Sequence, residues 1–282
     1  MVVLLILGGW GVAPASFANA VTAAKTPTFL NLIKEYPVAL LNPGHKSLNA
    51  RYLTLGSGRE ISDENLESAV TLSSVIAAAG LKQTKIAETE RFAALTHFFN
   101  GHQEDKFPKE EWKIVSSRIG SKEATPQLTL KRTAKEIINS IASEEAPDFL
   151  AAAIPYLDLI AAAGDFAANK KAVEAVDKIL KDISLAVDNK KGILIITAAG
   201  GNAERSKDLA TGLPDTGLTD NPVPLLIVGA EFKGKTIGLA DPLNNDLSSL
   251  TPAGTLANLA PTILKIMKLA KPAAMTAASL TE

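Results

Sequence analysis

MVVLLILGGWG, residues 1–11, is the stretch whose reading decides the fold. Val2 to Leu7 is an unbroken run of valine, leucine and isoleucine that stops at Gly8, Gly9 and Gly11. With no polar alternation, such a run suits a strand covered on both faces, the environment of a central strand in a parallel sheet. In open α/β sheets the ligand site lies just past the carboxyl ends of these strands. Gly8 therefore stands where an α/β enzyme ordinarily places a working side chain, and it carries none.

Outward from this run, apolar strand-like segments alternate with helical ones. Strands are expected at 38–41, 82–87, 112–115, 149–154, 192–198 and 225–229. Helices are expected over 18–36 with a fresh start at Thr26-Pro27, from Ser62 or Asp63 to about Ala79, and over 88–99 and 128–143. Two more are expected, over 166 to about 188 and over 256–269. The first of these carries Val173, Val176, Leu180, Ile183 and Val187 at the spacing of a core-facing stripe. Residues 42–59, with a proline and several glycines, read as a loop holding one short strand at 52–55, and 102–109 as a charged, exposed segment. This alternation gives an α/β fold with a largely parallel sheet covered by helices on both faces.

Composition excludes several functions. Among 282 residues, 29 Lys and Arg face 30 Asp and Glu, a net charge of -1, so no electrostatic attraction to nucleic acid or an acidic membrane is expected. Cysteine is absent, which removes disulfides, thiolate metal sites and a cysteine nucleophile. Only His45, His97 and His102 supply imidazole. The apolar run at residues 2–7 is too short to span a membrane and has no basic region before it, so a cytoplasmic protein without a membrane span is expected.

Seven stretches are similar, in order, to the cofactor-independent phosphoglycerate mutases of the alkaline phosphatase superfamily. They are LLILGGWG (4–11), NAVTAAKTPTFLNLIKEYP (19–37), LKQTKIAETERFAALTHFFNG (81–101), KAVEAVDKIL (171–180), ITAAGGNAE (196–204), TDNPVPLLIVG (219–229) and LANLAPTILKIMKLAKPAAMTAASL (256–280). The resemblance implies a three-layer αβα alkaline-phosphatase-like core, with residues 1–282 forming one such domain. It also implies, for the family, two manganese or similar divalent ions around a phosphorylatable serine, the ions clamping the attacking and leaving oxygens of a phosphoryl displacement.

Position by position, most of those side chains are replaced here. The aspartate of the family's LDGWG falls on Gly8, and the aspartate and histidine of ADHGN fall on Ala199 and Gly200. The aspartate of NPDMVGHTG survives as Asp158, while its histidine becomes Ala162; the histidine before TTNPVP becomes Leu218. The nucleophile motif is replaced by HKSLNARY, which places Leu48 at the serine, or Ser47 with a shift of one residue. The family's inserted phosphotransfer domain, of ordinary domain size, follows the position of Arg59; here residues 60–65 bridge the gap. The lysine after ETE is Arg91.

Asp158 reads either as a surviving metal ligand or as a helix cap or loop residue. Ser47 reads as a nucleophile only if His45 can serve as its base, and side chains two apart diverge on a strand. Arg59 and Arg91 read as remnants of an anion site or as ordinary ion-paired arginines. Asn202 and Glu204 read as preserving a turn. Two functions follow as expectations. One is a pseudoenzyme without metal cofactor, acting as a structural or protein-binding subunit, with a protein partner or a second copy. The other is a phosphatase, mutase or phosphoester-binding protein in which Asp158, Arg91 and Ser47 converge.

Overall fold

The computed structural model describes residues 1–61, 70–117, 126–238 and 240–281. The expected helix start at Ser62 or Asp63 lies outside the described residues. In chain order the elements are β1 (Val2–Leu7), α1 (Ala20–Ala23), α2 (Pro27–Glu35), β2 (Val38–Asn42), α3 (Leu48–Ser57), α4 (Leu72–Ala78), β3 (Gln83–Glu88) and α5 (Thr89–Ala93). A π-helical turn, Ala94–Phe98, continues α5, and β4 (Glu110–Val115), α6 (Pro126–Ala142), β5 (Phe149–Ile154), α7 (Tyr156–Ala161) and α8 (Phe166–Asn189) follow. Next come β6 (Ile193–Thr197), β7 (Val223–Val228), β8 (Gly254–Thr255) and α9 (Leu259–Ile266).

The strands form one sheet in the order β4-β3-β5-β1-β6-β7-β2-β8. β1 lies at its centre, paired in parallel with β5 (Leu4 opposite Ala151) and with β6 (Leu4 opposite Ile195). Every residue of β1 and β5 is buried, so both sheet faces are covered there, as the apolar runs require. β7 runs antiparallel to both of its neighbours, β6 and β2, while the other strand pairs are parallel. A largely parallel sheet is thus observed, with one reversed strand that alternation alone does not reveal.

The helices fall into two groups. α8 is the hub of one, with α1, α2, α6 and α7 packed on it; α3, α4, α9 and the π-turn form the other. The stripe Val173, Val176, Leu180, Ile183 and Val187 is buried along α8. Asp165 caps that helix by accepting from the Ala167 and Ala168 N–H groups. On α8, Asp177 accepts from the Thr28 and Phe29 N–H groups, tying down the first turn of α2.

Residues 48–57 correct the sequence reading. The expected loop with a strand at 52–55 is the helix α3, opened at Ser47 and closed by Gly58 in the left-handed conformation (φ 64°). Ala50 to Ser57 are all buried, so from its first turn onward this helix has no solvated face and lacks the 3.6-residue alternation that marks an amphipathic helix. At Gly56, α3 crosses the π-turn so closely that a Cβ would overlap the Phe99 carbonyl oxygen and lie 3.2 Å from Phe99 Cα. Both obstacles are backbone and cannot swing aside. Gly56→Ala is therefore expected to destabilise the protein by about 1–3 kcal/mol, overriding alanine's advantage of about 1 kcal/mol as a helix former. Urea denaturation checks this; an unchanged midpoint would mean that the π-turn gives way.

Candidate functional site at the carboxyl ends of the central strands

β1, β5 and β6 end side by side, and the glycines after β1 prolong the sheet. The Gly8 N–H donates to the Ile154 carbonyl at 2.9 Å, and the Gly9 N–H to that of Gly200 at 3.1 Å. Gly9 pairs with Gly201 in parallel, and Gly201 with Thr219 antiparallel. Gly9 has φ +85°, a conformation that suits glycine. Above these strand ends stand four charged side chains: Asp158, Arg91, Arg51 and Glu204.

Asp158 lies in the first turn of α7, immediately after β5. Its carboxylate leans across the end of β1: a Cβ at Gly8 would overlap Oδ2, and one at Gly9 would lie 2.9 Å from Oδ1. Oδ2 accepts from Arg91 Nη2 at 2.9 Å, and the two side chains are 12% and 16% exposed, so this is a largely enclosed ion pair. Burial pushes the Asp158 carboxyl up from its ordinary value; Arg91 pulls it down and Glu204 pushes it up. Burial pulls at Arg91 the other way, but Asp158, the Tyr52 phenol and Glu90 leave it above the ordinary arginine value. Asp158 is thus neither cap nor solvated loop residue, and Arg91 is ion-paired.

Arg51 reaches the same place from α3. Its Nη1 donates to the carbonyls of Ala199 (3.4 Å) and Thr219 (3.3 Å), its Nη2 to Asp220 Oδ1 (3.2 Å), and its Nε to the His45 carbonyl. The Arg51 side chain is 1% exposed whereas that of Asp220 is 73% exposed. Burial pulls its guanidinium down, against Asp220 and Asp158. A Cβ at Gly200 would overlap Arg51 Nη1 and lie 2.6 Å from Leu218 Cδ2.

Glu204, in a short 3-10 turn after β6, is buried against the Cα atoms of Gly11 and Gly201, where a Cβ on either would overlap its carboxylate. Its Oε1 accepts from Thr219 Oγ1 and from Asn221 Nδ2 at 2.9 Å. Buried Asp158 Oδ1, Glu204 Oε2 and Arg91 Nε have no hydrogen-bond partner among the described residues.

Of the other sequence candidates, Ala199 and Leu218 border the site beside Arg51 and Gly200. Ser47 is exposed at the start of α3, its N–H donating to His45 Nδ1 at 2.9 Å, and Leu48 packs against the core. Arg59 follows Gly58, past the other end of α3. Ala162 is exposed past α7, Ala199 is buried, and Leu218 is 38% exposed. His97 and His102 stack edge-on with each other and with Phe98, all centroids 5.0 Å apart. Among the described residues, no group of three or more His, Asp or Glu side chains is placed to hold a metal ion.

Sequence reading brought Asp158 and Arg91 forward, and the structure joins them. It missed Arg51, hidden inside a stretch taken for loop, and gave Glu204 only a turn. The signal was present: Ser47 and Gly58 bracket α3 as cap residues.

Among the described residues, no helix is long and apolar enough to cross a membrane. Residues 1–271 match the family model described as the Metalloenzyme superfamily. The 2,3-bisphosphoglycerate-independent phosphoglycerate mutase of Symbiobacterium thermophilum is 36% identical over 212 residues, covering 75% of this chain and 38% of that protein. A crystal structure of Leishmania mexicana phosphoglycerate mutase superposes with a TM-score of 0.61 at 26% identity, over 73% of this chain and 38% of that one. Alkaline phosphatase from the Antarctic bacterium TAB5 shares the fold at a TM-score of 0.63 and 12% identity, over 96% of this chain and 98% of that one. The chain thus spans well under half the length of the mutases it resembles. With an eight-stranded, largely parallel sheet and a family match over residues 1–271, the chain belongs to the alkaline-phosphatase-like Metalloenzyme superfamily.

Proposed function

We propose that this chain is a metal-free pseudoenzyme of its superfamily: one alkaline-phosphatase-like domain, without the mutases' inserted domain, that works as a cytoplasmic structural or protein-binding subunit. The observation that carries this reading is the packing at Gly8 and Gly200. The places where the family resemblance puts metal-ligand side chains are filled by the Asp158 carboxylate and the Arg51 guanidinium. A divalent pair needs several converging oxygen and nitrogen donors. The donors present do not fit that need: Asp158 is paired with Arg91, and Glu204 is held by Thr219 and Asn221. A guanidinium beside a would-be metal site also repels the ion.

The alternative, an enzyme of altered chemistry, requires Asp158, Arg91 and Ser47 to converge. Asp158 and Arg91 do, but they pair with each other, while Ser47 is exposed at the start of α3. A nucleophile, its base and a stabiliser are not assembled among these residues.

The test is elemental analysis of the protein purified without chelator, with a thermal-shift titration of manganese and a mutase assay on phosphoglycerate. No stoichiometric metal, no change in melting temperature and no turnover are expected. Bound metal at one or two equivalents, or measurable turnover, overturns the proposal.

A further inference from the structure

We infer that Arg51 is the built-in cation of this site: its guanidinium fills a cradle of backbone carbonyls beside Gly200 that would otherwise accept a free guanidinium-class cation. The inference rests on the metal-free reading above and goes beyond it by naming what occupies the space. Three carbonyl oxygens, those of His45, Ala199 and Thr219, and the Asp220 carboxylate all accept from the one side chain. These are acceptors from three separate points on the chain, Thr219 and Asp220 being adjacent, and a multi-donor cation satisfies them together. Arginine's planar fork of five N–H groups does so, whereas a lysine ammonium offers three donors at a single point.

The cradle and the glycine are mutually dependent. A Cβ at position 200 overlaps Arg51 Nη1 and also comes within 2.6 Å of Leu218 Cδ2. Arg51 and a ligand side chain at position 200 therefore exclude each other sterically. The Arg51 charge also works against burial at Asp158, pulling that carboxyl down. The same contacts tie α3 to the connection between β6 and β7, which makes Arg51 a positioning residue for the whole site.

A double-mutant cycle tests this through thermal melts. Arg51→Ala is expected to lower the melting temperature by about 6 °C, since buried acceptors lose their donor. Millimolar methylguanidinium should recover much of that loss in Arg51→Ala while leaving the wild type unchanged, and methylammonium should not. Gly200→Ala should cost several degrees in the wild type and clearly less in Arg51→Ala, because the collision with Nη1 is gone and only the close contact with Leu218 Cδ2 remains. If Arg51→Ala does not fold, Arg51→Lys runs the same cycle, and the cost of Gly200→Ala must again fall. An equal cost in both backgrounds, or no selective recovery by methylguanidinium, in a protein that still contains no metal, overturns the assignment of Arg51 and leaves the metal-free reading standing. Metal in the wild-type protein overturns that reading and the inference with it.

Discussion

Lys85→Met is expected to destabilise the protein by about 3–5 kcal/mol, the cost of leaving a buried charge without its partner. Lys85 points from β3 into a site where both it and Glu110 of β4 have wholly buried side chains. Its Nζ donates to Ser73 Oγ (2.6 Å), Asn100 Oδ1 (2.6 Å) and Glu110 Oε1 (3.0 Å), and lies 4.9 Å from the Phe99 ring centroid. Glu110 in turn accepts from Asn100 Nδ2 and from the Phe107 N–H at 2.9 Å. Burial pulls the Lys85 ammonium down from its ordinary value, with Glu110 opposing. Burial alone would raise Glu110, but Lys85, Asn100 and Phe107 hold it below the usual carboxylate range. Lys85→Met strips Glu110 of its main counter-charge while filling much of the same volume. The double variant Lys85→Met with Glu110→Gln removes both charges and is expected to be more stable than Lys85→Met alone. Urea denaturation of the four proteins measures the coupling. A loss under about 1 kcal/mol in Lys85→Met would mean that the pair contributes no more than a surface ion pair.

Glu88→Gln is expected to flatten the pH dependence of stability. Glu88 ends β3, is 1% exposed, and accepts from Thr133 Oγ1 at 3.3 Å. Burial pushes its carboxyl from 4.5 up to about 7, with Glu90 pushing the same way and Thr133 and Arg91 opposing. The unfolded chain releases this proton near the ordinary value, so between there and about pH 7 the folded state binds more protons than the unfolded state. The contribution of Glu88 is thus fully present below the ordinary value and is lost as pH rises through the folded one. The loss amounts to at most about 3 kcal/mol, at 1.36 kcal/mol per pH unit. Glutamine cannot lose a proton, so the variant should gain on the wild type as pH rises. Denaturation at about pH 5 and about pH 8 decides the matter; equal gaps between the two proteins at both values would show that Glu88 ionises normally.

Much of the fold was legible in sequence because its centre is extreme. β1, β5 and β6 are buried runs with no polar alternation, and such runs have few stable homes other than the middle of a covered sheet. The long stripe of α8 was equally plain. α3 was not, for the same physical reason in reverse. A helix buried on every side shows no periodic contrast, and Gly56, which lets it touch the π-turn, reads locally as a breaker. The reversed direction of β7 was also hidden, since an apolar run has the same appearance in either direction.

By itself the sequence determined the α/β architecture and set glycine or alanine at positions 8, 199 and 200, with Asp158 and Arg91 among the charged residues. These are properties of residue type and order, which local pattern and chemistry express. Tertiary structure alone decided what fills the space above the strand ends. Arg51 and Glu204 lie 148 and 196 positions along the chain from Ala199 and Gly8, respectively. Only the packing of α3 and of the turn after β6 against the sheet carries their charged ends to the glycines, because a side chain's destination depends on the orientation of the element that bears it.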